Sequence, residues 1–180
     1  RVGPLSLRVV TDVKGEELGF VDVAVGSRRV YVNEPIRMRV DFGVDKGLRL
    51  AQGVARNGQS YFKVELRAPW LEELEGTVPL EGEAEQSNVV LVLNSRLVRV
   101  GYEGEEARDG RTFHHFFLER GVLPTRTGII EIPRPLLSFA VASGPDRRGF
   151  FGERIAGDEV EYFAYGEPLR IDVLPLPESG

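Results

Sequence analysis

The feature that most constrains the fold is an unbroken alternation near the start of the chain. From Ile36 onward, Ile36, Met38, Val40 and Phe42 take one side, and Arg37, Arg39 and Asp41 take the other. A period of two, apolar against charged, specifies a half-buried antiparallel strand. It also fixes a register, because a slip of one residue would turn the apolar set towards water. Asn33-Glu34-Pro35 precedes it as a bend, since proline fixes its own φ and holds the preceding residue extended. The organising stretch is therefore Val30–Phe42, VYVNEPIRMRVDF.

Segments of the same character recur along the chain. Leu5–Val10, Leu18–Val25, Tyr61–Arg67, Val89–Leu93, Leu97–Tyr102, Ile129–Ile132, Leu137–Val141, Glu159–Tyr165 and Leu169–Val173 all read as strands. Thr112–Leu118 (TFHHFFL) is apolar or aromatic on both sides and suits a central strand. Gly43–Ser60 is expected to be an irregular excursion. Thr77–Asn88 is expected to be an acidic loop, Gly101–Gly110 a charged turn, and Ser143–Gly157 a glycine- and charge-rich loop. One short helix of a turn or two is expected over Ala68–Glu75, with Pro69 in its first turn and Gly76 after its end. About ten short strands with turn chemistry between them point to an all-β, immunoglobulin-like β-sandwich, with a closed barrel as the alternative.

At 180 residues the chain is long enough to bury a full core without staples. It has no cysteine, which excludes a disulfide framework and thiolate chemistry. Its net charge of −5 argues against a nucleic-acid backbone as partner. No apolar run approaches the ~18 residues of a membrane span. The chain opens on Arg1 and ends in a proline-punctuated tail, and it reads as a piece of a longer protein. The domain is expected over residues 18–176. Residues 1–17 would be a strand of a preceding module with its linker, and 177–180 a tail. Pro168–Leu174 echoes Pro4–Val10. One reading is a repeated module; the other is that any edge strand after a proline looks this way.

Few residues suggest chemistry. His114 and His115 are adjacent on a strand and point to opposite faces, so they are poorly placed to share one metal. Glu103, Glu105, Glu106 and Asp109 offer oxygen ligands for calcium, but without the spacing of a calcium loop and with Arg108 and Arg111 beside them. They read first as a solvated turn. Glu72, Glu73, Glu75, Glu81, Glu83 and Glu85 form a second acidic tract, read as a water-facing helix and loop or, in the alternative, as a patch for a basic partner. There is no G-x-S-x-G elbow and no phosphate-binding glycine loop, and no catalytic residue, cofactor or metal is assigned. Trp70 is read as packing over an open sheet end, or, if exposed, as a contact anchor. Phe150 and Phe151, bounded by glycines after Arg147 and Arg148, either fold back onto the sheet or meet a partner. These five residues are the candidate partner contacts.

Three phrases of the chain resemble the BatD family, the bacterial oxygen-tolerance (aerotolerance) proteins. VYVNEPIRMRVDF resembles that family's "vyvGe-x-apolar" opening, with Asn33 where the family phrase has glycine. Phe113–Pro133, through Leu123-Pro124, Thr127-Gly128 and Ile130-Glu131-Ile132-Pro133, resembles its "strand, loop, T-G, i-x-i-P" phrase. Tyr165–Pro177, YGEPLRIDVLPLP, resembles its closing phrase. The resemblance spans roughly Arg29 to Pro177 with wide gaps, and Gly43–Gly82 and Ser143–Gly157 lie outside it. It implies an exported parent protein anchored by a C-terminal membrane helix. Its modules would sit on the periplasmic or extracytoplasmic face of the cytoplasmic membrane. Its implied partners are von Willebrand A-type proteins and a MoxR-type AAA+ ATPase. The family has no established catalytic residues, so the expected role is binding or scaffolding. A carbohydrate-binding or carbohydrate-processing sandwich is the competing class, and it would call for several exposed aromatics on a concave surface.

Overall fold

The computed structural model describes residues 15–80, 89–144 and 157–177, with the backbone also of 147–148 and 154–155. Its strands are β1 (Gly19–Val25), β2 (Arg29–Tyr31), β3 (Ile36–Asp45), β4 (Gln52–Val54), β5 (Ser60–Phe62), β6 (Val64–Arg67), β7 (Thr77–Leu80) and β8 (Val89–Leu93). Then follow β9 (Arg96–Arg108), β10 (Arg111–Pro124), β11 (Gly128–Ile132), β12 (Leu136–Ser143), β13 (Arg147–Arg148), β14 (Arg154–Ile155), β15 (Asp158–Tyr165) and β16 (Leu169–Leu174). The expected all-β sandwich forms. Its main sheet runs β1-β3-β10-β9-β8-β6-β12-β15, with β7 paired to β10.

The long strand β9 makes this one path into two layers. Its first part pairs with β8, from Val89↔Val100 to Leu93↔Arg96, and its second part pairs with β10, from Phe117↔Gly101 to Arg111↔Arg108. A strand that changes neighbours in this way turns a corner between sheets. At the far ends of the path β1 packs against β12 and β15, and the Gly15 amide donates to the Phe163 carbonyl at 2.7 Å. The architecture is sandwich-like in its layers and barrel-like in this near closure.

One core lies between the layers. Ile36, Met38, Val40 and Phe42 of β3 are all buried, as their alternation requires, and so are Leu66 of β6, Leu137 and Phe139 of β12, and Leu118 of β10. The separate sheet β11-β16-β2 adds Ile130, Ile132, Ile171, Val173 and Val30 to the same cluster. β10 is central as its aromatics suggested, with β3 along one side and β9 and then β7 along the other.

Several expectations are corrected. The stretch Val30–Phe42 is two strands in two sheets, because the bend at Asn33-Glu34-Pro35 lets β2 leave and pair with β16 in parallel. Tyr61–Arg67 is likewise divided between β5 and β6. Within Gly43–Ser60, β3 continues to Asp45 and β4 forms a ribbon with β5. Thr77–Leu80 is a strand, with Pro79 tolerated because β7 is an edge. β6 pairs with β8 in parallel. The expected helix is a single 3-10 turn, Pro69–Leu71. The Asn94 side chain holds it, accepting from the Ala68 amide at 2.8 Å and donating to the Ala68 carbonyl at 3.2 Å.

The largest correction concerns Gly101–Gly110. It is extended through Arg108, and the chain reverses only at Asp109-Gly110, both at positive φ (47° and 79°), as a two-residue hairpin turn requires. The expected strand at Leu5–Val10 lies outside the described residues.

Candidate functional site: a histidine among carboxylates on the outer face of β1-β3-β10-β9

The charged side of β3 faces away from the core, and its neighbours there are set by register. Asp41 stands between Asp22 of β1 and Phe117 of β10, and Gly43 stands between Phe20 and His115. Across β10, Phe117 faces Gly101 and Phe113 faces Glu106. Between them the register shifts, so that Glu103 and Gly104 together oppose His115. Gly104 sits at φ 104° in this bulge. The extra residue matters: with strict alternation, Glu103 and Glu106 would point to opposite faces, and the bulge brings both to the outer face.

Two glycines then let aromatic rings lie flat on the sheet. A Cβ at Gly43 would collide with the Phe20 ring and the His114 carbonyl, and one at Gly101 would collide with the Phe117 ring. Each ring carries a guanidinium: Arg108 Cζ lies 3.5 Å from the Phe20 centroid and Arg39 Cζ 4.2 Å from that of Phe117. Such stacking adds cation–π attraction to the packing. Phe113 meets Phe20 edge-on at 5.5 Å and closes the apolar side.

His115 sits between these two stacks, its side chain 14% exposed. Its Nε2 is 2.8 Å from Asp41 Oδ1, and its Nδ1 is 3.1 Å from Glu106 Oε2 and 3.6 Å from Glu103 Oε2. Arg39 donates to Asp41 through Nε at 2.9 Å and pairs with Glu103 Oε1 through Nη2 at 2.7 Å. Arg108 donates to Asp22 at 2.6 Å and to Glu106 Oε1 at 2.7 Å. Partial desolvation works against the charge on both arginines. It is outweighed by their carboxylate hydrogen bonds, with Glu103 and Asp41 for Arg39 and with Glu106 and Asp22 for Arg108, so both are held more firmly protonated than usual. Glu106 Oε2 is shut off from solvent and makes no hydrogen bond with a described protein group. Asp41, Glu103 and His115 each present a donor atom within 4.8 Å of the others, the only such His/Cys/Asp/Glu group among the described residues.

Only part of this assembly was foreseen. His114 and His115 do face opposite ways; His114 Nδ1 instead meets the Tyr102 hydroxyl at 3.1 Å. The four acids considered for calcium are not gathered in a turn. Glu105 pairs with Lys46 at 2.8 Å away from the cluster, and Asp109 forms the hairpin turn. Asp41, Arg39 and Asp22 were not singled out. The signal that could have found the cluster is glycine within strand text, which marks a bulge or a close ring approach as readily as a turn.

Of the candidate contacts, Trp70 is 5% exposed and belongs to the core cluster, so it packs and offers no ring face to a partner. Arg147 and Arg148 form β13, paired with β14, and their side chains lie outside the described residues, as do Phe150 and Phe151. In the second acidic tract, Glu72 accepts from Asn94 and Glu75 from Arg126, while Glu81, Glu83 and Glu85 lie outside the described residues.

A concavity of about 460 Å³ lies on the outer face of β6 and β12, away from the histidine cluster, with Ser138 and Ala140 in its lining alongside Tyr61, Lys63, Glu65, Glu159 and Glu161. Compared with known proteins, the chain matches no family model, no curated protein and no solved structure.

Proposed function

We propose that this chain is a non-catalytic protein-binding module of BatD type. It would work on the extracytoplasmic side of a membrane with von Willebrand A-type and MoxR-type partners. The observation that carries the reading is Asn33. It stands where the family phrase has glycine, and its φ is 64°, a conformation that asparagine tolerates best after glycine. The substitution therefore keeps the backbone requirement that the glycine implies.

The pairing of the phrases supports the same reading. β2, β11 and β16, one from each phrase and far apart in sequence, form a single sheet, and β3 pairs with β10. The groove over β6 and β12 is the docking surface in this proposal. No helix among the described residues is long and apolar enough to cross a membrane.

Two experiments test the reading. Asn33→Gly should leave stability within a few tenths of a kcal/mol, whereas Asn33→Val should cost about 1–2 kcal/mol; equal effects would remove the glycine argument. Immobilised chain should retain A-type and AAA+ proteins from a detergent-solubilised membrane fraction, and capture of glycans in place of proteins would favour the carbohydrate-binding class.

A further inference from the structure

We propose that His115, Asp41 and Glu103 form a site for one divalent first-row transition ion, such as Zn²⁺ or Mn²⁺. Carboxylates alone on a sheet face would be a solvated charge cluster. Here an imidazole, its side chain 14% exposed, stands among them, and Asp41, Glu103 and His115 each present a donor atom within 4.8 Å of the others. The local charge also favours a cation. Asp22, Asp41, Glu103 and Glu106 are paired with two arginines, Arg39 and Arg108.

The donor set defines the class of ion. One imidazole with carboxylates suits zinc or manganese, whereas calcium takes oxygen ligands and would leave His115 out. The mutual spacing of Asp41, Glu103 and His115 needs only side-chain adjustment to bring each donor to about 2.0–2.2 Å from a common ion. The surroundings are closely packed. The Phe20 and Phe117 rings lie against Gly43 and Gly101, and Arg108 holds Glu106 beside them. Arg39 is the resident competitor, since it engages both Asp41 and Glu103. An ion entering the site would displace it towards Glu119, 3.4 Å away on the rim.

The test uses the untagged, chelator-treated chain and the metal alone, read by titration calorimetry. Zn²⁺ or Mn²⁺ should bind saturably at one equivalent with Ca²⁺ much weaker, and His115→Gln should weaken binding by at least about tenfold. Arg39→Met should tighten binding, because it removes the competitor. A network of salt bridges alone predicts no such gain. A readout on the unsubstituted chain avoids any folding defect: the ring resonances of His115 should broaden at lower substoichiometric Mn²⁺ than those of His114, which lie farther from the ion. No saturable binding, preference for Ca²⁺, binding indifferent to His115→Gln, or equal broadening of both histidines would overturn the site.

Discussion

The two outer faces of this sandwich are built in opposite ways. Over β1-β3-β10-β9 the surface is filled: two rings lie on glycines, two guanidiniums lie on the rings, and carboxylates crowd the remaining histidine. Over β6-β12-β15 the residues facing out include Ser138 and Ala140, and the long side chains pair around them, Lys63 with Glu159 and Arg67 with Glu65. On the first face the charged side chains pair with one another over the rings and around His115. The second face holds a concavity of about 460 Å³. The same strand alternation serves both, so the contrast comes from which residues stand at the outward positions.

The largest expected effect tests whether the two faces share one body. Phe42 under the filled face and Phe139 under the groove are each 1% exposed in the same core. Truncation of either to alanine should cost about 3–5 kcal/mol, measured by urea denaturation. Both variants should unfold in a single transition. A groove-side layer that melts separately in Phe139→Ala would break the comparison, because the faces would then belong to independently stable units.

The next effect separates the faces themselves. Gly43→Ala should cost about 1–3 kcal/mol, because the new methyl meets both the Phe20 ring and a backbone carbonyl that cannot yield. Gly101→Ala should cost less, since only the movable Phe117 ring opposes it. On the other face, Ala140→Leu should change stability by about 0.5 kcal/mol or less. It should still reduce capture of protein partners by filling the groove. If Ala140→Leu proves as damaging as Gly43→Ala, the groove is a packed surface and not a docking one.

How much of this was readable in advance depends on where period two survives. β3 keeps it from Ile36 to Phe42 and β16 keeps it from Leu169 to Val173, and their inward residues are the buried ones, whereas in β12 the outward Ser138 is buried along with Leu137 and Phe139. The aromatic run of β10 announced a strand with neighbours on both sides. The candidate site was not legible, because its key event is a break in period. Glu103 and Glu106 share a face only through the bulge opposite His115, and Gly101 and Gly104 in acidic text read as turn glycines. Nor does any local signal tie Asp41 to His115, which are brought together by pairing across a separation of 74 residues. The parallel seams β6–β8 and β2–β16 are equally long-range and equally silent in the sequence.

The smallest effect lies at the border of the filled face, where Lys46 and Glu105 are paired and exposed. The hydrogen bond from the Lys46 ammonium holds the Glu105 carboxyl below its ordinary range, and the same bond raises the lysine. A carboxyl whose folded value is depressed contributes stability above the unfolded value, and that contribution fades as pH falls through the folded one. Water screens this pair, so the effect should show in a site-resolved NMR titration and not in the melting curve. Lys46→Gln should move the Glu105 midpoint back up towards the ordinary carboxylate range while leaving the His115 ring signals where they are. A shift of His115 in that variant would mean that the border pair and the carboxylate-ringed histidine are electrostatically one unit. The filled face would then extend past its rings to the hairpin end of β9.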